Sequence, residues 1–127
     1  MYFVNNTVQN NDEVFYGIRT SGSSVFRDNI FRNNSSVFAL GYYFDSTTIN
    51  DNNFINNAFV IEAPAQGYGF GTVSIADNWW NSTDTTVIDG LIKDENDDVT
   101  LQALNYSPIK TSEISSIGSL VSLPGGD

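Results

Sequence analysis

Phe3-Val4-Asn5-Asn6-Thr7-Val8-Gln9-Asn10-Asn11 is followed by Phe26-Arg27-Asp28-Asn29-Ile30-Phe31-Arg32-Asn33-Asn34 and then by Ile49-Asn50-Asp51-Asn52-Asn53-Phe54-Ile55-Asn56-Asn57, each 23 residues after the one before. The offset continues past the motif, matching Val14 to Val37 to Val60 and Phe15 to Phe38 to Ile61, so it marks a whole structural unit. A fourth copy, Ile75-Ala76-Asp77-Asn78-Trp79-Trp80, begins 26 residues after Ile49, with three extra residues entering near Phe70-Gly71-Thr72.

Local propensity selects among the architectures with such a period. Apolar runs of Val, Ile, Phe and Tyr are short and broken by Asn-Asn, Ser-Gly or Gly-Tyr pairs, which leaves no room for helical repeats. Leu is nearly absent before residue 91, so a leucine-rich pattern also fails. What remains is all-β: short strands joined by tight corners and wound so that each strand pairs with its equivalent one coil away, about 4.8 Å along the axis. Equivalent residues then stack. Phe3, Phe26, Ile49 and Ile75 form one inward column, Val8, Phe31, Phe54 and Trp80 a second, and Val14, Val37 and Val60 a third. Asn6, Asn29, Asn52 and Asn78 are expected as one polar column and Asn10, Asn33 and Asn56 as another, because Asn tolerates left-handed backbone and stacked amides bond to one another. Trp79 points opposite to Trp80.

These residues resemble the right-handed parallel β-helix repeat proteins of the pectate-lyase-like superfold, over residues 2 to about 109. The most specific part is Asn78-Trp79-Trp80-Asn81-Ser82-Thr83-Asp84, followed by Ile88, Ile92, the acidic Asp94-Glu95-Asn96-Asp97-Asp98 and Asn105-Tyr106-Ser107-Pro108; the family usually carries Gly where Asn81 stands. The resemblance implies about four right-handed coils over 1–82, a C-terminal cap over 83–109 with a short helix, an acidic loop and a final strand, and a linker or terminal strand over 110–127. From the residues alone, Asp84 reads as an N-cap, with Val87, Ile88, Leu91 and Ile92 on one helical face and Gly90 inside the helix at a cost of about 1 kcal/mol.

The 127 residues hold one core, and the polar surface of Asn, Ser, Thr and Gly suits an extracellular β-protein. A net charge of -10 repels nucleic acid and anionic membrane surfaces alike. Without Cys or His, the chain has neither disulfides nor thiolate or imidazole chemistry. No signal peptide opens the sequence, and no apolar run reaches the roughly 20 residues of a membrane helix, so a mature form or a piece of a larger protein is expected.

Four sets of residues are candidates for chemistry. Asp28, Asp51 and Asp77 stack in one column, as acid/base carboxylates do on polygalacturonase-like β-helix enzymes, but Asp before Asn is also good turn chemistry and Asn5 fills the same position in the first coil. Arg19, Arg27 and Arg32 are the only basic residues of the coils, and lyases of the resembled superfold use Arg or Lys as base. Asp94, Asn96 and Asp98 have the spacing of an oxygen-ligand calcium loop, the one cofactor the sequence offers, although Val99 and Asn105 replace the Gly and Glu of an EF-hand. Tyr42, Tyr43, Phe44, Tyr68 and Phe70 gather aromatic faces at one loop region of successive coils, suited to stacking on sugar rings. The sequence favours a non-enzymatic chain: a secreted or cell-surface module acting as a rigid scaffold or adhesin-like glycan-contacting element. The alternatives are the end piece of a polysaccharide lyase or glycoside hydrolase, and a subunit that self-assembles end to end. Met1 aligns with Ser24 and Thr47, so the first coil is expected to present unpaired edges to upstream coils or to a second copy.

Overall fold

A computed structural model of the chain describes residues 1–18, 23–40, 46–66 and 73–118. The elements are β1 (Tyr2–Val4), β2 (Thr7–Gln9), β3 (Glu13–Ile18), β4 (Ser24–Arg27), β5 (Ile30–Arg32), β6 (Ser36–Leu40), β7 (Thr47–Asn50), β8 (Asn53–Ile55), β9 (Ile61–Glu62), β10 (Val73–Ser74), α1 (Thr85–Asp89) and β11 (Ile92–Lys93). They build three sheets, ordered β1-β4-β7-β10, β2-β5-β8 and β11-β9-β6-β3. All pairings between these strands are parallel. The chain is therefore all-β, with parallel strands in stacked sheets and almost no helix. It visits each sheet in turn and returns one strand further along, an arrangement compatible with a β-solenoid.

Register follows the sequence repeat. Phe3 lies opposite Phe26 and Phe26 opposite Ile49. Val8, Phe31 and Phe54 are aligned in the second sheet, and Phe15, Phe38 and Ile61 in the third. Phe26, Phe31, Phe38, Ile49, Phe54, Ile61, Ile75 and Trp80 are all essentially sealed from solvent. Aromatic rings run along the columns: Phe31 stacks on Phe54 at 5.6 Å, Phe15 on Phe38 at 5.2 Å, and Trp80 closes over Phe54 at 4.9 Å. Between columns the rings meet edge to face, as Phe26 and Phe38 do at 5.1 Å, which satisfies the ring quadrupoles while filling the interior. Trp80 is buried and Trp79 is not, as strand alternation requires.

The Asn-rich corners divide two tasks between adjacent residues. Asn5, Asp28, Asp51 and Asp77 adopt left-handed backbone, with φ of 61°, 58°, 58° and 60°. The residue that follows each of them, Asn6, Asn29, Asn52 or Asn78, turns inward and stacks. The Asn29 Oδ1 accepts from the Asn6 backbone N–H at 2.8 Å and from its Nδ2 at 3.3 Å. Asn52 Oδ1 does the same for Asn29, and Asn78 Oδ1 for Asn52, at 3.0–3.1 Å. The Nδ2 groups of Asn29, Asn52 and Asn78 also reach back to a main-chain carbonyl of the preceding round, Asn29 to Phe3 and Asn52 to Phe26 at 2.9 Å, whereas that of Asn6 donates to Val4 O in its own round at 3.1 Å. The second ladder differs from the sequence expectation by one residue. Asn10, Asn33 and Asn56 are the left-handed corners (φ 63°, 56° and 53°), and Asn11, Asn34 and Asn57 carry the amide stack. Asn81 (φ 60°) continues the left-handed column, at a position where Gly would be equally at ease.

The far end is covered with a helix shorter than the one the sequence suggests. Asp84 does cap α1, its Oδ1 accepting from the Thr86 N–H at 2.9 Å. However, α1 stops at Asp89 with Gly90 as its C-cap, Val87 is exposed, and Ile92 belongs to β11. Ile88 is the helical residue that reaches the core. Gly ends the helix because it gives up most backbone entropy in a helix interior, and β11 gains parallel pairing with β9 in exchange. Residues 110–118, expected within a linker or terminal strand, form no strand. They run back along the outer face of the β2-β5-β8 sheet. The Lys110 N–H donates to Asn78 O at 2.9 Å, Asn53 exchanges two bonds with the Ile114 backbone, Gly118 N–H donates to Asp28 O at 3.0 Å, and the Thr7 hydroxyl donates to Gly118 O. Gly118 (φ 86°) leaves no room for a side chain: a Cβ would lie 2.7 Å from Ile30 Cδ1.

The division of tasks predicts opposite tolerances in one corner. Asn52→Leu strands several buried donors and acceptors and should cost about 2–4 kcal/mol in urea unfolding. Asn33→Gly keeps the left-handed corner and should stay within about 0.5 kcal/mol of the parent.

Candidate functional site

Asp28, Asp51 and Asp77 are brought together, one per round, at a column whose backbone is left-handed. Their main chains are tied by the ladder, Asp28 N–H to Asp51 O at 2.9 Å, Asp51 N–H to Asp77 O at 3.0 Å and Asp77 N–H to Pro108 O at 2.7 Å. Asp28 pairs with its neighbour Arg27, and Lys110 lies 3.6 Å from Asp51. Both pairs are substantially solvated, so each adds little stability. Asn5 adopts the same conformation without a carboxyl. Arg32 is only partly exposed and Arg19 lies outside the described residues.

The acidic loop spends its oxygens on its own backbone. Asp94 is buried; its Oδ1 accepts from Asn96 N–H at 3.0 Å and its Oδ2 from Leu104 N–H at 3.1 Å. Asp97 Oδ2 accepts from Asp94 N–H at 3.2 Å. The Asp98 Oδ1 accepts from the Thr100 hydroxyl at 2.7 Å and from its N–H at 2.9 Å, and these bonds, hydroxyl first, hold the Asp98 carboxyl below the usual carboxylate range. Asp94 and Asp98 thus bond turns of their own loop, Asn96 taking part through its backbone N–H, and among the described residues no group of three or more His, Cys, Asp or Glu is placed to hold a metal ion.

Beside this loop a cleft of about 200 Å³ is lined by Asp89, Ile92, Asp94, Asn96, Asp97, Leu104 and Tyr106. The Tyr106 hydroxyl donates to Asp89 Oδ1 at 3.0 Å. Desolvation, then that bond and the charge of Asp89, push the phenol above its ordinary value. A second cleft of about 170 Å³ opens between the last round and α1, with Trp80, Asn81, Val87 and Leu91 on its walls. Tyr42, Tyr43, Phe44, Tyr68 and Phe70, the aromatic set expected to contact glycans, lie outside the described residues.

Among the described residues the first round is also left partly uncovered. β1, β2 and β3 are each the terminal strand of their sheet. Phe3, Val8, Val14 and Phe15 are only half buried, whereas their column mates Phe26, Phe31, Val37 and Phe38 are fully so. Tyr2 and Tyr16 stand out in solvent at 77% and 75% exposure. Asn6 and Asn11 head the two amide ladders there. The polarity of the ladders was not legible in the sequence.

No family model, curated protein or solved structure matches the chain.

The Asp98 carboxyl offers a direct check on the acidic loop. Its lowered value means that its contribution to stability is full above the unfolded-chain pKa and is lost as pH falls through the folded one. In an NMR titration Thr100→Val should move Asp98 back up toward the ordinary carboxylate value. An unmoved titration would show that the hydroxyl does not hold it.

Proposed function

We propose that this chain is a module of a right-handed parallel β-helix whose work is mechanical: a rigid, non-enzymatic structural element of a secreted or cell-surface protein. The observation that carries the reading is the use made of the stacked carboxylates. Asp28, Asp51 and Asp77 occupy left-handed corners interchangeable with Asn5, and the acidic loop's oxygens accept from neighbouring backbone N–H groups. The column is a repeated turn position in which Asp28 pairs with Arg27 and Asp51 lies 3.6 Å from Lys110, so its carboxyls are explained by corner geometry and surface charge pairing. The three-sheet winding, the two amide ladders and the strap of residues 110–118 all favour stiffness, and the Asn- and Ser-rich exterior suits an extracellular setting. Glycan contact, if the surface makes it, falls to Tyr42, Tyr43, Phe44, Tyr68 and Phe70.

The test is turnover. Purified chain incubated with polygalacturonate or neutral glycans, with and without calcium, should release no reducing ends or unsaturated product. Cleavage that Asp51→Asn abolishes would replace this reading with the end piece of a carbohydrate-active enzyme.

A further inference from the structure

The amide ladders have a direction, and that direction specifies what the first round accepts. In both ladders an Asn of one round donates its backbone N–H and its Nδ2 to the Oδ1 of the next: Asn6 to Asn29 to Asn52 to Asn78, and Asn11 to Asn34 to Asn57. The Nδ2 of the receiving residue returns a bond to a carbonyl of the donating round, as Asn34 does to Val8 O at 3.1 Å and Asn57 to Phe31 O at 2.9 Å. Asn6 and Asn11 stand first. The two N–H donors that fill Oδ1 in each later round have no counterpart above them among the described residues. Among the described residues this end is therefore a pair of carboxamide acceptors, five positions apart, set beside half-buried Phe3, Val8 and Phe15 and three parallel strand edges that no described strand pairs.

Resting on the β-helix reading above, we infer that this end is a docking surface for one kind of partner: an Asn-cornered β-coil that stacks in parallel and in register. Such a coil supplies N–H donors to the Oδ1 atoms of Asn6 and Asn11, whose Nδ2 groups already donate to Val4 O and Gln9 O, and apolar residues to complete the Phe3, Val8 and Phe15 columns. A second copy of the chain fits poorly in either orientation. Head to head, a two-fold axis brings Asn6 Oδ1 toward its own equivalent, acceptor against acceptor. Head to tail, the opposite end is occupied: Lys110 N–H bonds Asn78 O, Asp77 N–H bonds Pro108 O, and Ile75, Trp80, Ile88 and Ile92 are covered.

The probe is a peptide with the sequence of residues 24–40, which holds three strands and both Asn corners. Added to the full-length chain, it should bind saturably and slow hydrogen exchange of backbone amides in residues 2–16. The same peptide carrying Asn29→Ala and Asn34→Ala keeps the backbone N–H donors but loses both Nδ2 donors, and should bind about tenfold more weakly or worse. Because ordering a free peptide opposes binding, each peptide is also fused ahead of Met1 through a Gly/Ser linker of about eight residues. The Asn-bearing fusion should protect the same amides and raise the unfolding midpoint above that of the Ala fusion. Equal binding by both peptides would show that the end reads only apolar surface and would overturn the proposal. So would failure of the Asn peptide both free and fused. So would concentration-dependent self-association that the Asn peptide does not compete away. Turnover on a glycan would defeat the non-enzymatic reading and leave this exchange readout unaffected.

Discussion

A carboxamide is the one side-chain group that can accept a backbone N–H from one neighbour and donate to a backbone carbonyl and to an identical amide on others, and this structure rests on that property. Each short strand has few main-chain bonds of its own, and corners are where a parallel winding would otherwise strand polar groups inside. Asn29, Asn52 and Asn78 are fully buried at those corners, and their bonds convert them from a liability into the register pins of the stack. Because one Oδ1 serves both an N–H and an Nδ2, a missing rung leaves two donors unpaired in a low-dielectric interior. The aromatic columns add apolar burial, but they do not fix register as sharply, since Phe, Ile and Trp exchange places along them.

That interaction explains which features the sequence disclosed. Period, sheet membership, inward columns and the buried set including Phe26, Phe31, Phe54 and Trp80 follow from residue type at fixed spacing, and spacing is printed in the chain. The Asn6 to Asn78 ladder followed too. The second ladder was placed one residue early because both members of an Asn-Asn pair are chemically able to turn the backbone or to stack. Only the first corner breaks the tie in sequence: Asp28, Asp51 and Asp77 replace the left-handed residue and never the stacking one. Carrying that asymmetry to the next corner would have assigned Asn11, Asn34 and Asn57 correctly.

The closed end was less legible because its contacts are long-range and unrepeated. Gly90 reads equally as a tolerated helical glycine or as a stop, and pairing of β11 with β9 decides it. The strap over 110–118 has almost no local pattern. Its one sequence trace is Ile30, an apolar residue at an outward position that holds Thr7 in the round before and Asn53 in the round after, and it is buried because the strap covers it. The open end shows the converse: Asn6 and Asn11 look like any other rung in sequence, and only the direction of the bonds gives them a distinct role.

The exclusion of Asp from the ladders has a physical cause that also bears on the acidic column. An ionised carboxylate in a ladder position would accept from the preceding round but offer no N–H to the carbonyl behind it or the oxygen ahead, placing acceptors against acceptors in a buried setting. At the left-handed corner the same group faces water. Neighbouring rounds are about 4.8 Å apart, where two like charges in water repel by about 1 kcal/mol, a cost small enough for a turn-forming benefit to offset. Arg27 beside Asp28 and Lys110 near Asp51 reduce it further. The carboxylates are stacked because the corner repeats, and they are tolerated because it is wet. That is the reason a line of acids on this scaffold is weak grounds for an active site.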